Sequence, residues 1–150
     1  MSGEVKFALT AMLARRDHSC KEVTDKLLAK GFSGSDIDAV VAEYCASGYL
    51  DDERFAQLLL RSHINKGHGP VRIQQAMMLK GIAKSIVSES LAGSDCDWFA
   101  LARAKATRKY REFGAIDPKE KAKRIRYLLS QGFSYEQVNF ALAPPEDYDV

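Results

Sequence analysis

The chain has 150 residues, 46% of them hydrophobic and 28% charged, with a formal net charge of +2. Such a balance suits an ordinary soluble globular protein with one good core or several small ones in line. No apolar run approaches membrane-spanning length, and the N-terminus lacks a signal-peptide pattern, so a cytoplasmic protein is expected. Cys20, Cys45 and Cys96 form no C-x-x-C pair; they suggest neither a disulfide framework nor a zinc site, and read as reduced core thiols.

A first helix is expected over Glu4 to Arg15, with Val5, Ala8, Leu9 and Met12 on one stripe. After the connector Arg16-Asp17-His18, Ser19 and Glu22 form a capping box for a second helix, Cys20 to Lys30. Gly31-Phe32-Ser33 is then a corner: glycine closes one helix, serine caps the next, and Phe32 packs onto Ile37 as a staple. The third helix runs to about Ser47, with Asp36 at the capping-box position, and stops at Gly48. A fourth opens at Asp51-Asp52-Glu53 and carries Phe55, Leu58, Leu59 and Leu60. Asn65-Lys66-Gly67-His68-Gly69 breaks it, and Pro70 is placed to start a fifth.

Helix five extends to Lys80 and helix six from about Lys84 to Leu91, around a corner whose cap position holds only Ala83. A long seventh helix is expected with Trp98, Ala102, Ala106 and Tyr110 on one face, fraying near Gly114. Asp117-Pro118-Lys119-Glu120 is a strong start signal for helix eight, and Ser134 with Gln137 caps helix nine. There is no strand pattern and no nucleotide-binding loop.

The corner recurs. Gly31, Gly81 and Gly132 stand 50 and 51 residues apart, each preceded by an apolar pair (Leu27 and Leu28, Met77 and Met78, Leu128 and Leu129). Six residues after each come Ile37, Val87 and Val138, and ten after, Val41, Leu91 and Leu142. Apolar residues at fixed offsets over three copies mark a repeat architecture. The expectation is an all-α protein of tandem three-helix repeats, nine helices in an elongated curved body: 4–47, 51–92 and 95–143, then a disordered acidic tail over 144–150.

Little here promises catalysis. Asp51, Asp52 and Glu53 could hold a divalent metal, but adjacent carboxylates point to different sides of a helix, and acids in a first turn favour the helix dipole. His63 and His68 lack a third ligand at helical spacing and read as surface histidines. Trp98, Phe99 and Tyr110 fit a core stripe better than a base-stacking platform. A binding protein without cofactor or metal is expected.

Charge is distributed unevenly. From Trp98 to Arg126 ten bases face three acids, a local net of +7, whereas Asp17 to Phe55 has a local net of −5. An acidic first repeat and a basic stretch entering the third suit an extended charged partner. The candidate contact residues are Arg72, Arg103, Lys105, Arg108, Lys109, Lys123 and Arg124.

Three blocks resemble the signature of the RecX family: Gly48-Tyr49-Leu50-Asp51-Asp52-Glu53-Arg54-Phe55-Ala56, Lys66-Gly67-His68-Gly69-Pro70-Val71-Arg72-Ile73, and Lys80-Gly81-Ile82. Trp98-Phe99-Ala100-Leu101-Ala102-Arg103, with Ala106-Thr107-Arg108-Lys109-Tyr110, is similar to the block leading into that family's last repeat. The likeness covers residues 9–142 in order. Ala76-Met77 departs from it, since the family often has Glu-Leu there, and Ala76 removes that carboxylate. The resemblance implies tandem three-helix repeats and a bacterial regulator of the RecA recombinase. Such a protein binds the RecA–DNA filament, limits its growth or promotes its disassembly, and inhibits strand exchange, RecA-linked ATP hydrolysis and coprotease activity. It has no catalysis of its own, acts in DNA repair, homologous recombination and the SOS response, and is expected here to be a monomer. A direct DNA- or RNA-binding module is the alternative; it would bind bare nucleic acid tightly with a steep salt dependence.

Overall fold

The computed structural model describes residues 2–111 and 116–144. Among these, every element is a helix: α1 (Ser2–Arg15), α2 (Cys20–Ala29), α3 (Gly34–Ala46), α4 (Asp52–Asn65), α5 (Pro70–Leu79), α6 (Lys84–Ala92), α7 (Trp98–Lys109), α8 (Pro118–Ser130) and α9 (Tyr135–Leu142). The architecture is all-α, built of tandem three-helix repeats. The expected fraying near Gly114, and the tail from 145 on, lie outside the described residues.

Local hydrogen bonding explains where the helices stop. At each corner the glycine has positive φ (Gly31 94°, Gly81 76°, Gly132 100°), a conformation that costs an L side chain about 1–2 kcal/mol. The glycine N–H donates to Leu28, Met78 or Leu129 O, and the next N–H donates to Leu27, Met77 or Leu128 O. These paired bonds satisfy carbonyls that the helix end leaves open. Starts are equally local. Ser19 with Glu22 and Ser134 with Gln137 form complete capping boxes, Asp117 caps α8 ahead of Pro118, and Asp97 caps α7. Ser33 accepts from Asp36 N, and α6 begins after Ala83.

The chain divides into two compact units. The first, Met1–Leu59 with Ala76–Ala92, has a core of Val5, Leu9, Val23, Leu27, Ile37, Val40 and Leu50, with Ala8, Met12 and Phe32 packed against it. Here α1, α2 and α3 pack on one another, and Tyr44 Oη bonds Thr10 Oγ1 at 2.7 Å. The second, Leu60–Gln75 with Gly93–Val150, has a core of Ala102, Ala106, Leu128, Phe133, Val138 and Ala141. Alanines one turn apart on α7 let α9 approach closely. α4 and α5 contribute residues to both units.

Three expectations need correction. Cys45 is exposed and Cys20 and Cys96 only partly buried, all as free thiols; Cys20 and Cys45 Sγ lie 3.4 Å apart. Cys45 sits in the last turn of α3, beyond its buried stripe, whereas Cys20 packs against the edge of the first unit's core. Phe99 remains 39% exposed, edge-on to Phe140, rather than in the core. Tyr110 is the extended C-cap of α7 and leaves the helical stripe. No helix among the described residues is long and apolar enough to cross a membrane.

Candidate nucleic-acid and partner interface

The end of α4 builds the centre of a cationic cluster. Gly67, at φ 77°, turns the chain so that His68 N donates to His63 O at 3.0 Å. This brings the two imidazoles together, Nδ1 to Nδ1 at 2.7 Å. One ring must donate and the other accept, so at least one is neutral. His68 is buried and His63 half-buried, which corrects the expectation of two surface histidines. The turn places them together, a contact that helical spacing alone does not reveal.

Cations surround the pair. Lys66 lies in the same loop, Arg72 in the first turns of α5, and Lys105 reaches from α7 to donate from Nζ to Lys66 O at 2.8 Å. Burial, then Arg72, His63, Lys105 and Lys66, push the His68 pKa down to about 4. Burial, then Lys66 and Arg72, lower that of His63. The Lys105 ammonium is likewise lowered, by burial first and then by Arg108 and Arg72. Among the described residues, none of Lys66, Arg72, Lys105 and Arg108 has a carboxylate within 4.0 Å. Such an uncompensated cluster concentrates positive potential and favours an anionic partner.

The structure thus groups Arg72, Lys105 and Arg108 and adds Lys66, which charge counting missed. Its signal was position: a lysine between a helix end and two loop glycines is held at the surface. The other candidates are dispersed. Arg103 Nη1 donates to Phe140 O at 2.8 Å, a carbonyl in the last turn of α9 that also accepts from Ala143 N, with its guanidinium 5.6 Å from the Phe140 ring centre. With Arg108, Phe140, Ala100, Ala104 and Thr107 it lines an open groove of about 550 Å³. Lys109 Nζ stands 4.3 Å from the Tyr127 ring centre, and Lys123 is exposed on α8.

Arg124 is a correction. It is 8% exposed, bonds Glu120 through Nε at 3.0 Å, and lies 4.4 Å from the Tyr110 ring centre. The repeat explains this: eight residues before each corner glycine stand Val23, Ile73 and Arg124, and the first two are fully buried. Arg124 occupies a core position, stretching its aliphatic stem inward and its head to Glu120.

The acidic triplet is used on helix starts. Asp51 Oδ1 accepts from Arg54 N at 3.1 Å, capping α4. Asp52 Oδ1 accepts from Cys20 N at 2.9 Å, satisfying a first-turn donor of α2.

Known proteins share this organisation. RecX family models match in three consecutive pieces: the first three-helix domain at residues 11–43, the second at 51–91 and the third at 95–142. Regulatory protein RecX of Vibrio vulnificus (strain CMCP6) is 41% identical over 132 residues, covering 88% of this chain and 86% of its own. That of Vibrio parahaemolyticus serotype O3:K6 is 39% identical over 138 residues, 92% of this chain and 89% of its own. The crystal structure of RecX from Lactobacillus salivarius matches with a TM-score of 0.80 at 21% identity, over 99% of this chain and 96% of that one, which speaks for the fold. With three domains matched in order and relatives at this level of identity, the chain belongs to the RecX family.

Proposed function

We propose that this protein is a negative regulator of the RecA recombinase. It binds the RecA filament on single-stranded DNA, limits filament extension or promotes disassembly, and so lowers ATP hydrolysis, strand exchange and coprotease activity. Its working modules are the repeats 4–47, 51–92 and 95–143, and it acts as a monomer. The observation that carries this reading is the carboxylate-free cluster of Lys66, Arg72, Lys105 and Arg108, in a chain whose relatives are named regulatory proteins. The cluster faces acidic RecA surface or DNA phosphate, with Arg103, Lys109 and Lys123 as outlying contacts. Occupying a surface shared by neighbouring protomers blocks an incoming subunit or disfavours the active arrangement between subunits.

The test is single-stranded-DNA-dependent ATP hydrolysis by RecA, with the protein titrated at fixed DNA and salt. Inhibition well below one copy per RecA is expected, and Arg72→Ala with Lys105→Ala should weaken it. No inhibition even in excess would overturn the reading. The same cluster favours a second reading, a direct DNA- or RNA-binding module; tight binding to bare nucleic acid, together with no effect on RecA, would establish that instead.

A further inference from the structure

The first unit brings two thiols together. Cys20 is the first residue of α2 and Cys45 stands in the last turn of α3, 25 positions further on. Both belong to the same compact unit, and their Sγ atoms lie 3.4 Å apart. A disulfide needs about 2.05 Å, so a shift of about 1.4 Å closes the gap, within reach of side-chain rotation. Cys20 is held in place, because its main-chain N–H donates to Asp52 Oδ1 at 2.9 Å, at the start of α4. Core packing does not account for the pair, since Cys45 is exposed. Helix initiation needs no thiol there either: the second repeat starts the equivalent helix with Pro70.

The two sulfurs have different surroundings and hence different tasks. Cys45 is open to solvent, whereas Cys20 is partly buried at the edge of the core. Burial first, then the hydrogen bond with Cys45 and the charge of Asp52, raises the Cys20 pKa. Cys20 therefore keeps its proton and shares it with the Cys45 sulfur. Cys45, accessible and accepting that hydrogen bond, is the nucleophile.

We propose that Cys20 and Cys45 form a redox-sensitive dithiol, which a peroxide converts into an intramolecular disulfide between α2 and α3 and a dithiol reopens. With hydrogen peroxide, Cys45 Sγ attacks one oxygen and the O–O bond breaks. The departing hydroxide takes the Cys45 proton and leaves as water. Cys20 Sγ then attacks the resulting sulfenic acid: the S–S bond forms, the S–O bond breaks, and the Cys20 proton leaves with the oxygen as a second water. The two thiols are oxidised by two electrons, and the peroxide is reduced by the same two. Reopening is thiol–disulfide exchange that begins at the exposed Cys45 Sγ. The inference goes beyond the regulatory reading, and uses neither RecA nor any residue of the cationic cluster. Cys96 belongs to the other unit and takes no part.

The test uses the full chain, reduced, freed of reductant, treated with hydrogen peroxide and then blocked with N-ethylmaleimide. Intact mass should show the loss of two hydrogens and one blocked thiol in place of three. After trypsin without reductant, the peptide 17–21 should be joined to the peptide 31–54. Cys20→Ser should hold Cys45 as a sulfenic acid that dimedone captures, whereas Cys45→Ser should leave Cys20 reduced. Cys96→Ser should leave the link unchanged. The linked protein should melt roughly 5–10 °C above the reduced one, because the bond restricts the unfolded chain, and dithiothreitol should restore the lower midpoint. Three blocked thiols after peroxide, or a link that joins two chains or includes Cys96, would overturn the proposal. So would an oxidised form that melts below the reduced one, since the helices would then be distorted by the bond.

Discussion

The two units fasten the same corner by different chemistry. In the first, Lys80 O, just before Gly81, accepts from Ser19 Oγ at 2.7 Å, and Lys80 Nζ reaches Glu22 at 2.9 Å. In the second, Gln131 O, just before Gly132, accepts from Gly69 N at 2.8 Å, and Val71 N donates to Gly132 O at 2.9 Å. Ser19 and Gly69 are the same repeat position. The repeat keeps the acceptor and changes the donor. A hydroxyl can reach across a gap, whereas a main-chain N–H must be carried into contact. Adding a Cβ to Gly69 would drive it into the main chain of Gly132 and to within 2.6 Å of Phe133 N. A backbone junction therefore demands glycine, and a side-chain junction does not.

The largest effect should come from breaking the backbone junction. Gly69→Ala sets a methyl against main-chain atoms that cannot rotate away, and about 3 kcal/mol of stability should be lost in chemical denaturation. Ser19→Ala attacks the side-chain junction. It removes both the donor to Lys80 O and the acceptor that caps Glu22 N, and should cost about 2 kcal/mol. Gly31→Ala is the mildest of the three. That corner has φ 94° but nothing within 4 Å of a new Cβ, so only the backbone term of about 1 kcal/mol remains.

Acid should separate the units in order. His68 titrates near 4 when folded, below its ordinary 6.5. Its neutral form is favoured by folding, so its contribution is complete above 6.5 and declines as pH falls toward about 4. Burial opposes the charge of Glu22, but hydrogen bonds from Arg16, Lys80 and Ser19 N outweigh it and hold the carboxyl at about 2. Its contribution is complete above the ordinary 4.5 and declines only as pH falls from there toward 2. Hydrogen exchange during acidification should loosen the second unit first. His68→Gln should flatten the upper part of that acid limb, and Glu22→Gln the lower part.

Arg124 and the histidines mark where sequence reading reached and where it stopped. Arg124 was counted as surface charge, although the corner offset already aligned it with Val23 and Ile73; the missed signal was register, not chemistry. His63 and His68 gave no comparable signal, because their contact depends on the path of one turn at Gly67. The contact between Cys20 and Cys45 was equally hidden: 25 positions separate them, and only the packing of α2 on α3 brings them together.

From residues alone the chain determined its helices, corners and threefold repeat. Caps, glycine turns and the 3.6-residue apolar period are satisfied within a few residues of one another, so local spacing suffices to read them. Tertiary structure alone decided which cations gather around Lys105, which cysteines meet, and which junction is backbone and which hydroxyl. Those features join residues tens of positions apart, such as Lys66 with Lys105 and Ser19 with Lys80. Coulomb and hydrogen-bond energies depend on distance in space, and only the packed helices set that distance.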